Sequence, residues 1–275
     1  MNERKWWKEG CVYQIYPRSF ADSNGDGIGD LKGIMDHLEY VKKLGCDIIW
    51  LNPCYKSPND DNGYDISSYT EIMDDFGTME DFDALLSKAH SLGIKVIMDL
   101  VVNHTSDEHE WFITSSSSRD NDKADWYIWR EKKNNWGACF GGSAWEWNEK
   151  RGEYYLHCFS VKQPDLNWEN VDVRNAVYEM MRYWGDKGID GFRMDVITMI
   201  SKDQNFPDGV KTGEYGDSSP YTNNGPRIHE FLKEMNKEVI SRYDWLTVGE
   251  GAGARVEDTL LYTDPERKEL NMIFS

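Results

Sequence analysis

Two acids stand out by the residues around them. Asp195 lies in the run Gly191-Phe192-Arg193-Met194-Asp195-Val196, and Glu250 closes Thr247-Val248-Gly249-Glu250. Each ends a strand-like segment of β-branched and aromatic residues. A barrel of parallel strands gathers its strand ends at one face, so acids far apart in sequence can meet there. Two carboxyl groups in one pocket are the minimal equipment for breaking a glycosidic bond. A lone acid at a strand end is usually an ordinary loop residue, so the elements that would position this pair decide the reading.

Those elements alternate. Residues 12–16, 47–51 and 95–102 read as strands, and 34–44 and 81–92 as helices, each helix closed by a glycine (Gly45, Gly93). Helix, glycine and strand in succession is the signature of an αβ turn. Residues 95–102 are apolar almost throughout, as a strand buried on both faces must be. From His104 to about Asn170 the rhythm breaks into a stretch rich in Trp, Ser, Asn and Asp, longer than an ordinary connection. The alternation then resumes with a helix over 172–187, a strand over 191–196, a helix over 227–243 and strands over 245–249 and 269–274. The pattern predicts an α/β fold, a (β/α)8 TIM barrel of which six strands are visible, with a small domain inserted after the third. The barrel takes residues 1–103 and 171–275, and the insert residues 104–170.

Composition narrows the partners. The chain has 31 basic and 49 acidic side chains and a net charge of −18, which repels nucleic-acid phosphates and anionic membranes but not a neutral substrate. Its five cysteines (Cys11, Cys46, Cys54, Cys139, Cys158) are odd in number and form no C-x-x-C pair. That suggests neither a disulfide framework nor a zinc site, and fits a reducing compartment. The N-terminal segment lacks the apolar core of a signal peptide and no run is long enough to span a membrane, so a cytoplasmic protein is expected. Aromatic residues are dense between Trp126 and Trp147; beyond filling a core, such rings stack on sugars.

The motifs in their order resemble glycoside hydrolase family 13, the α-amylase family. The resemblance rests on Asp99-Leu-Val-Val-Asn103-His104, on the segments ending in Asp195-Val196 and in Glu250, and on Gln163-Pro164-Asp165-Leu166-Asn167, a signature of the oligo-1,6-glucosidase subfamily. The opening WWKEG and VYQIYPRSF, the SPNDDNGYDIS run and the FGGSAW run match as well. It implies a barrel with a domain after strand three. It makes Asp195 the nucleophile of a retaining mechanism and Glu250 the general acid/base. Arg193, two residues before Asp195 on the same strand face, would keep that acid ionised and oriented. The resemblance further places Asp61, Tyr64, His104 and Gln163 on the sugar, Phe140 and Phe159 as apolar walls, and Asp99 as a buried brace for the arginine. Tyr64 reads equally well as a core residue. Val196 is the residue that α-1,6-preferring members share, where α-1,4-preferring relatives usually have Thr.

A second motif is Asp22-Ser-Asn24-Gly-Asp26-Gly-Ile28-Gly-Asp30. Oxygen donors at alternate positions with glycines between them suit a Ca²⁺ loop, although the twelfth position, Gly33, rules out an EF-hand. The resemblance makes it a structural Ca²⁺ site held by Asp22, Asn24, Asp26, the Ile28 carbonyl and Asp30; Mg²⁺ could take the same place. The expected activity is exo-hydrolysis of α-1,6 bonds in isomalto-oligosaccharides. The alternatives are an α-1,4-glucosidase, a sucrose isomerase-like glucosyl transferase, or a catalytically silent amylase-like partner protein. The family's last signature, an Asn-His-Asp run carrying a third carboxylate, has no counterpart in the chain, nor do strands seven and eight. The polypeptide is therefore expected to be a fragment of a longer enzyme, inactive or nearly so by itself.

Overall fold

The computed structural model describes residues 5–211 and 213–274, so the first residues of the N-terminal segment read above lie outside it. Six parallel strands form the central sheet: β1 (Val12–Ile15), β2 (Ile48–Leu51), β3 (Lys95–Leu100), β4 (Gly191–Met194), β5 (Leu246–Glu250) and β6 (Met272–Phe274). Their spatial order follows the chain order, each strand pairing with the next. An open doubly wound sheet reverses its strand order near the middle; consecutive parallel pairing is the rule of a barrel wall. The sheet is the first six strands of a (β/α)8 pattern.

β3 is buried from Val96 through Leu100, as its apolar run requires. The helix over Val171–Lys187 starts at Asn170, whose side chain accepts from the Asp172 amide, and ends at Gly188 in the left-handed conformation (φ 101°) that glycine reaches without a Cβ clash. It buries Val173, Val177, Met180, Met181 and Trp184 against the core. The helix over Met79–Ser91 opens with a reciprocal Thr78–Asp81 capping box.

Two helices depart from the expected spans. The one read over 34–44 starts at Leu31, because the Asp30 carboxylate caps the Gly33 amide, and it breaks at His37 into Leu31–Asp36 and Leu38–Lys43. His37 Nδ1 lies 2.8 Å from the Gly33 carbonyl, a local bond that competes with continued helix. The one read over 227–243 is α-helical only over Ile228–Glu238, and Ile240–Arg242 is a 3₁₀ turn. Buried Val239 and Ile240 turn the chain into the core there.

Between β3 and β4 the chain forms the helix Glu110–Ser117 and a three-stranded antiparallel sheet of Trp129–Arg130, Glu153–Leu156 and Trp145–Asn148. Ile128, Trp136, Trp145 and Leu156 pack into a cluster that also takes in Val196 and Met199. The residues just after β4 are thereby clamped between barrel and insert.

Candidate active site

Arg193 organises the C-terminal ends of the strands. Its register partners are Asp99 on β3 and Val248 on β5. Its guanidinium reaches Asp99 Oδ1, Asp195 Oδ1 and Glu250 Oε2, each at 2.6 Å. Asp195 follows β4 directly and continues the ladder, its amide donating to the Leu100 carbonyl at 2.9 Å. Glu250 is the last residue of β5 and also accepts from the Val196 amide at 3.0 Å. Both acids of the sequence reading thus share one guanidinium.

Asp99 is completely buried and held on its other oxygen by Trp50 Nε1 at 2.7 Å and by the Tyr64 hydroxyl at 3.3 Å. Asn52 donates to that hydroxyl (2.7 Å) and takes a bond from Gln14 (2.9 Å). Burial pushes the Asp99 carboxyl up to about 6, against the pull of Arg193, Trp50 and Tyr64. Burial likewise pushes Asp195 up to about 8 against Arg193, with repulsion from Asp99 and Glu250 added. Three carboxylates around one guanidinium leave excess negative charge in a dry place. That excess charge raises the affinity of the cluster for a proton.

A second group adjoins the first. The Gln163 side chain, fully buried, donates to Asp61 at 2.9 Å and lies 3.2 Å from His104 Nε2. Burial pulls the His104 imidazole down to about 4, so the ring is neutral at physiological pH. The Phe159 ring stands 5.2 Å from that of His104, and Phe140 packs 5.6 Å beyond it while remaining 62 % exposed. A turn in which the Tyr64 amide donates to the Asp61 carbonyl (2.9 Å) ties this group to the Arg193 cluster. All nine expected catalytic and substrate-contacting residues therefore lie in one connected region.

Several participants had no clear signal in the sequence. Lys202, 2 % exposed, binds Asp165 at 2.9 Å and both the Asn103 side-chain oxygen and the Met199 carbonyl at 2.8 Å. Against the cost of burial, Lys202 and His104 hold the Asp165 carboxyl below the ordinary range. This ion pair fastens the loop after β4 to the Gln163 loop, and nothing in its sequence context distinguishes Lys202 from a surface lysine. Trp50 on β2 and Asn52 just after it do carry a signal: alternation sends both side chains to one side, where Trp50 meets Asp99 and Asn52 meets Tyr64. Val196 adopts φ 35°, ψ 41°, a left-handed backbone that a β-branched residue holds only when its surroundings impose it. That conformation delivers its amide to Glu250.

The Asp22–Asp30 loop follows β1 and runs into the helix Leu31–Asp36. Asp22 accepts from the amides of Asn24, Gly25 and Gly27, and Asp26 from Asn24 Nδ2 and the Ile28 amide. Hydrogen bonds from Gly25 and Gly27 hold the Asp22 carboxyl below the usual carboxylate range. Asp30 is spent on Ser23 and on capping Gly33. Among the described residues no three His, Cys, Asp or Glu side chains converge as a metal site. The donor set expected for Ca²⁺ is present in type, but its oxygens serve the loop's own amides.

The alpha-amylase catalytic-domain model matches residues 14–275. The chain belongs to that family. It is 63 % identical over 279 residues to the oligo-1,6-glucosidase of Parageobacillus thermoglucosidasius, covering 99 % of this chain and 50 % of that protein. The solved trehalose-6-phosphate hydrolase of Bacillus licheniformis superposes with a TM-score of 0.95 at 54 % identity, over 99 % of this chain and 49 % of that one. An isomaltulose synthase mutant from Erwinia rhapontici NX5, solved with its natural substrate sucrose, gives 0.93 at 48 %, over 99 % and 49 %. This alpha-amylase family chain thus spans about half the length of the relatives it matches. Among its described residues no helix is long and apolar enough to cross a membrane.

Proposed function

We propose that this chain carries the nucleophile and the general acid/base of a retaining, exo-acting α-glucosidase that hydrolyses α-1,6-glucosidic bonds of isomalto-oligosaccharides in the cytoplasm. The observation that carries the reading is the single buried guanidinium shared by Asp195 and Glu250. Two acids so tethered suit the short carboxyl separation, about 5 Å, of retaining enzymes. Asp195 attacks the sugar carbon and forms a covalent glucosyl-enzyme. Glu250 gives its proton to the leaving oxygen and then takes one from the incoming water. The excess charge of the cluster favours holding one proton, and the retaining mechanism requires that proton on Glu250, with Asp195 ionised, when the sugar is bound. Asp61, His104 and Gln163 would hold the sugar's hydroxyls, Tyr64, Phe140 and Phe159 would pack on its faces, and Arg193 would orient the nucleophile. Val196 and the oligo-1,6-glucosidase relatives support the α-1,6 preference.

The test joins this chain to the C-terminal half of the Parageobacillus relative and compares initial rates on isomaltose, maltose, sucrose and trehalose 6-phosphate. Isomaltose should be the preferred substrate, and Glu250→Gln should lower kcat by about 10²–10⁴-fold. Predominant turnover of maltose would move the assignment to an α-1,4-glucosidase, and of sucrose to a glucosyl-transferring relative. We also propose that Ca²⁺ binds the Asp22–Asp30 loop, displacing bonds its carboxylates now make to the loop's amides. Saturating Ca²⁺ at about 100 times Kd should stabilise the protein by about 2.7 kcal/mol. An unchanged Tm between excess EGTA and Ca²⁺ removes the site.

A further inference from the structure

The odd cysteine count points away from a disulfide framework, yet the fold brings two of the thiols together. Cys11 immediately precedes β1 and Cys46 stands two residues before β2, at the end of the sheet opposite Asp195 and Glu250. The Asp47 and Ile48 amides both donate to the Cys11 carbonyl, at 3.0 and 3.2 Å, so the two segments are locked side by side. Their Sγ atoms lie 3.8 Å apart. Cys11 is exposed, whereas Cys46 is buried beneath it. Neither belongs to the cluster around Arg193.

We propose that Cys11 and Cys46 form a redox-active dithiol, a modification site that a small-molecule disulfide such as oxidised glutathione converts to an intramolecular disulfide. The exposed Cys11 thiolate attacks one sulfur of the oxidant; a Cys11–glutathione bond forms and one glutathione thiolate leaves. Cys46 then gives its proton to that thiolate and attacks Cys11 Sγ, expelling the second glutathione as a thiolate that takes up the proton Cys11 had released to solvent. Two protein thiols are oxidised and one small disulfide is reduced to two thiols, so electrons and protons balance. Closing the sulfurs from 3.8 Å to a bond of about 2.05 Å takes side-chain rotation at the two cysteines, whose backbones are tied together by the Asp47 and Ile48 amides on the Cys11 carbonyl. The bond would staple β1 to β2 around the segment that holds the Asp22–Asp30 loop. In a reducing compartment the pair rests as free thiols and closes when the oxidant pool rises.

The experiment incubates the full 275-residue chain with oxidised glutathione, quenches with N-ethylmaleimide and maps the peptides by mass spectrometry. The expected result is a Cys11–Cys46 cross-link, two fewer alkylatable thiols and an intact mass lower by two hydrogens. Cys46→Ser should stop at a stable glutathione adduct on Cys11, and Cys11→Ser should slow modification of Cys46 by at least about tenfold, since burial limits access. Three results would overturn the proposal. They are a wild-type chain that halts at the Cys11 adduct as C46S does, no reaction at either residue, and cross-links drawn at random from the five cysteines.

Discussion

At the scale of single residues, Arg193 matters most, because its guanidinium joins Asp99, Asp195 and Glu250. A buried ion group tolerates partial dismantling badly: removing the cation leaves the carboxylates desolvated without compensation. Arg193→Gln in the extended protein should therefore cost about 3–5 kcal/mol at neutral pH, measured by urea unfolding. The sign of the pH dependence follows from Asp99 and Asp195, both raised in the fold. A raised carboxyl binds its proton more tightly folded than unfolded, so stability grows as pH falls through the folded pKa toward the unfolded value near 3.9. Part of the loss in Arg193→Gln should return on acidification from pH 8 to pH 5. A deficit that is the same at both pH values would contradict this account. Val196 belongs to the same scale. Its left-handed backbone is strain held by packing against Met199 and the insert, and its amide is what that strain provides to Glu250.

At the scale of elements, the strand ends and helix starts do the positioning. Gly191 opens β4 at φ 144°, where an added Cβ would stand 1.9 Å from the Leu246 carbonyl oxygen; the strand carrying Arg193 lies against β5 because that residue has no side chain. The helix Glu110–Ser117, within the insert, is capped by His109, whose Nδ1 accepts from the Trp111 amide at 3.0 Å. Burial pulls His109 down to about 3, so the cap works as a neutral imidazole. A base depressed in the fold contributes stability that is complete above its unfolded pKa of about 6.5 and is lost as pH falls toward the folded value. His109→Asn keeps a capping oxygen and cannot titrate in that range. Between pH 6.5 and 4 this variant of the extended protein should lose less stability than the parent, and parallel denaturation curves would argue against the cap.

At the scale of the molecule, the sheet described here is a barrel wall whose outer strands, β1 and β6, each pair on one side. Val12 and Phe274 on these strands are exposed. Unpaired strand edges template contacts with other chains. The 275-residue polypeptide by itself should show concentration-dependent association in sedimentation velocity, and the protein extended by the C-terminal half of a relative should not. A monodisperse chain at tens of micromolar would show that these edges are protected in another way.

How much of this was legible beforehand differs with the kind of signal. Strand and helix order followed from periodicity and glycine stops, since hydrophobic alternation and capping are local properties. Asp195, Glu250, Arg193 and Asp99 were legible because motifs at strand ends project to one face of a parallel sheet. The helix break at His37 and the start at Leu31, capped by Asp30, depart from the expected span, because the same aspartate can ligate a metal or cap a helix and only the folded loop chooses. Lys202, the Val196 amide on Glu250 and the Cys11–Cys46 contact depend on segments far apart in sequence. Residue order alone sets the inventory of reactive groups and the strands that carry them. Which of them share a guanidinium or a sulfur contact follows from the packing of the strands, because burial and distance are set there.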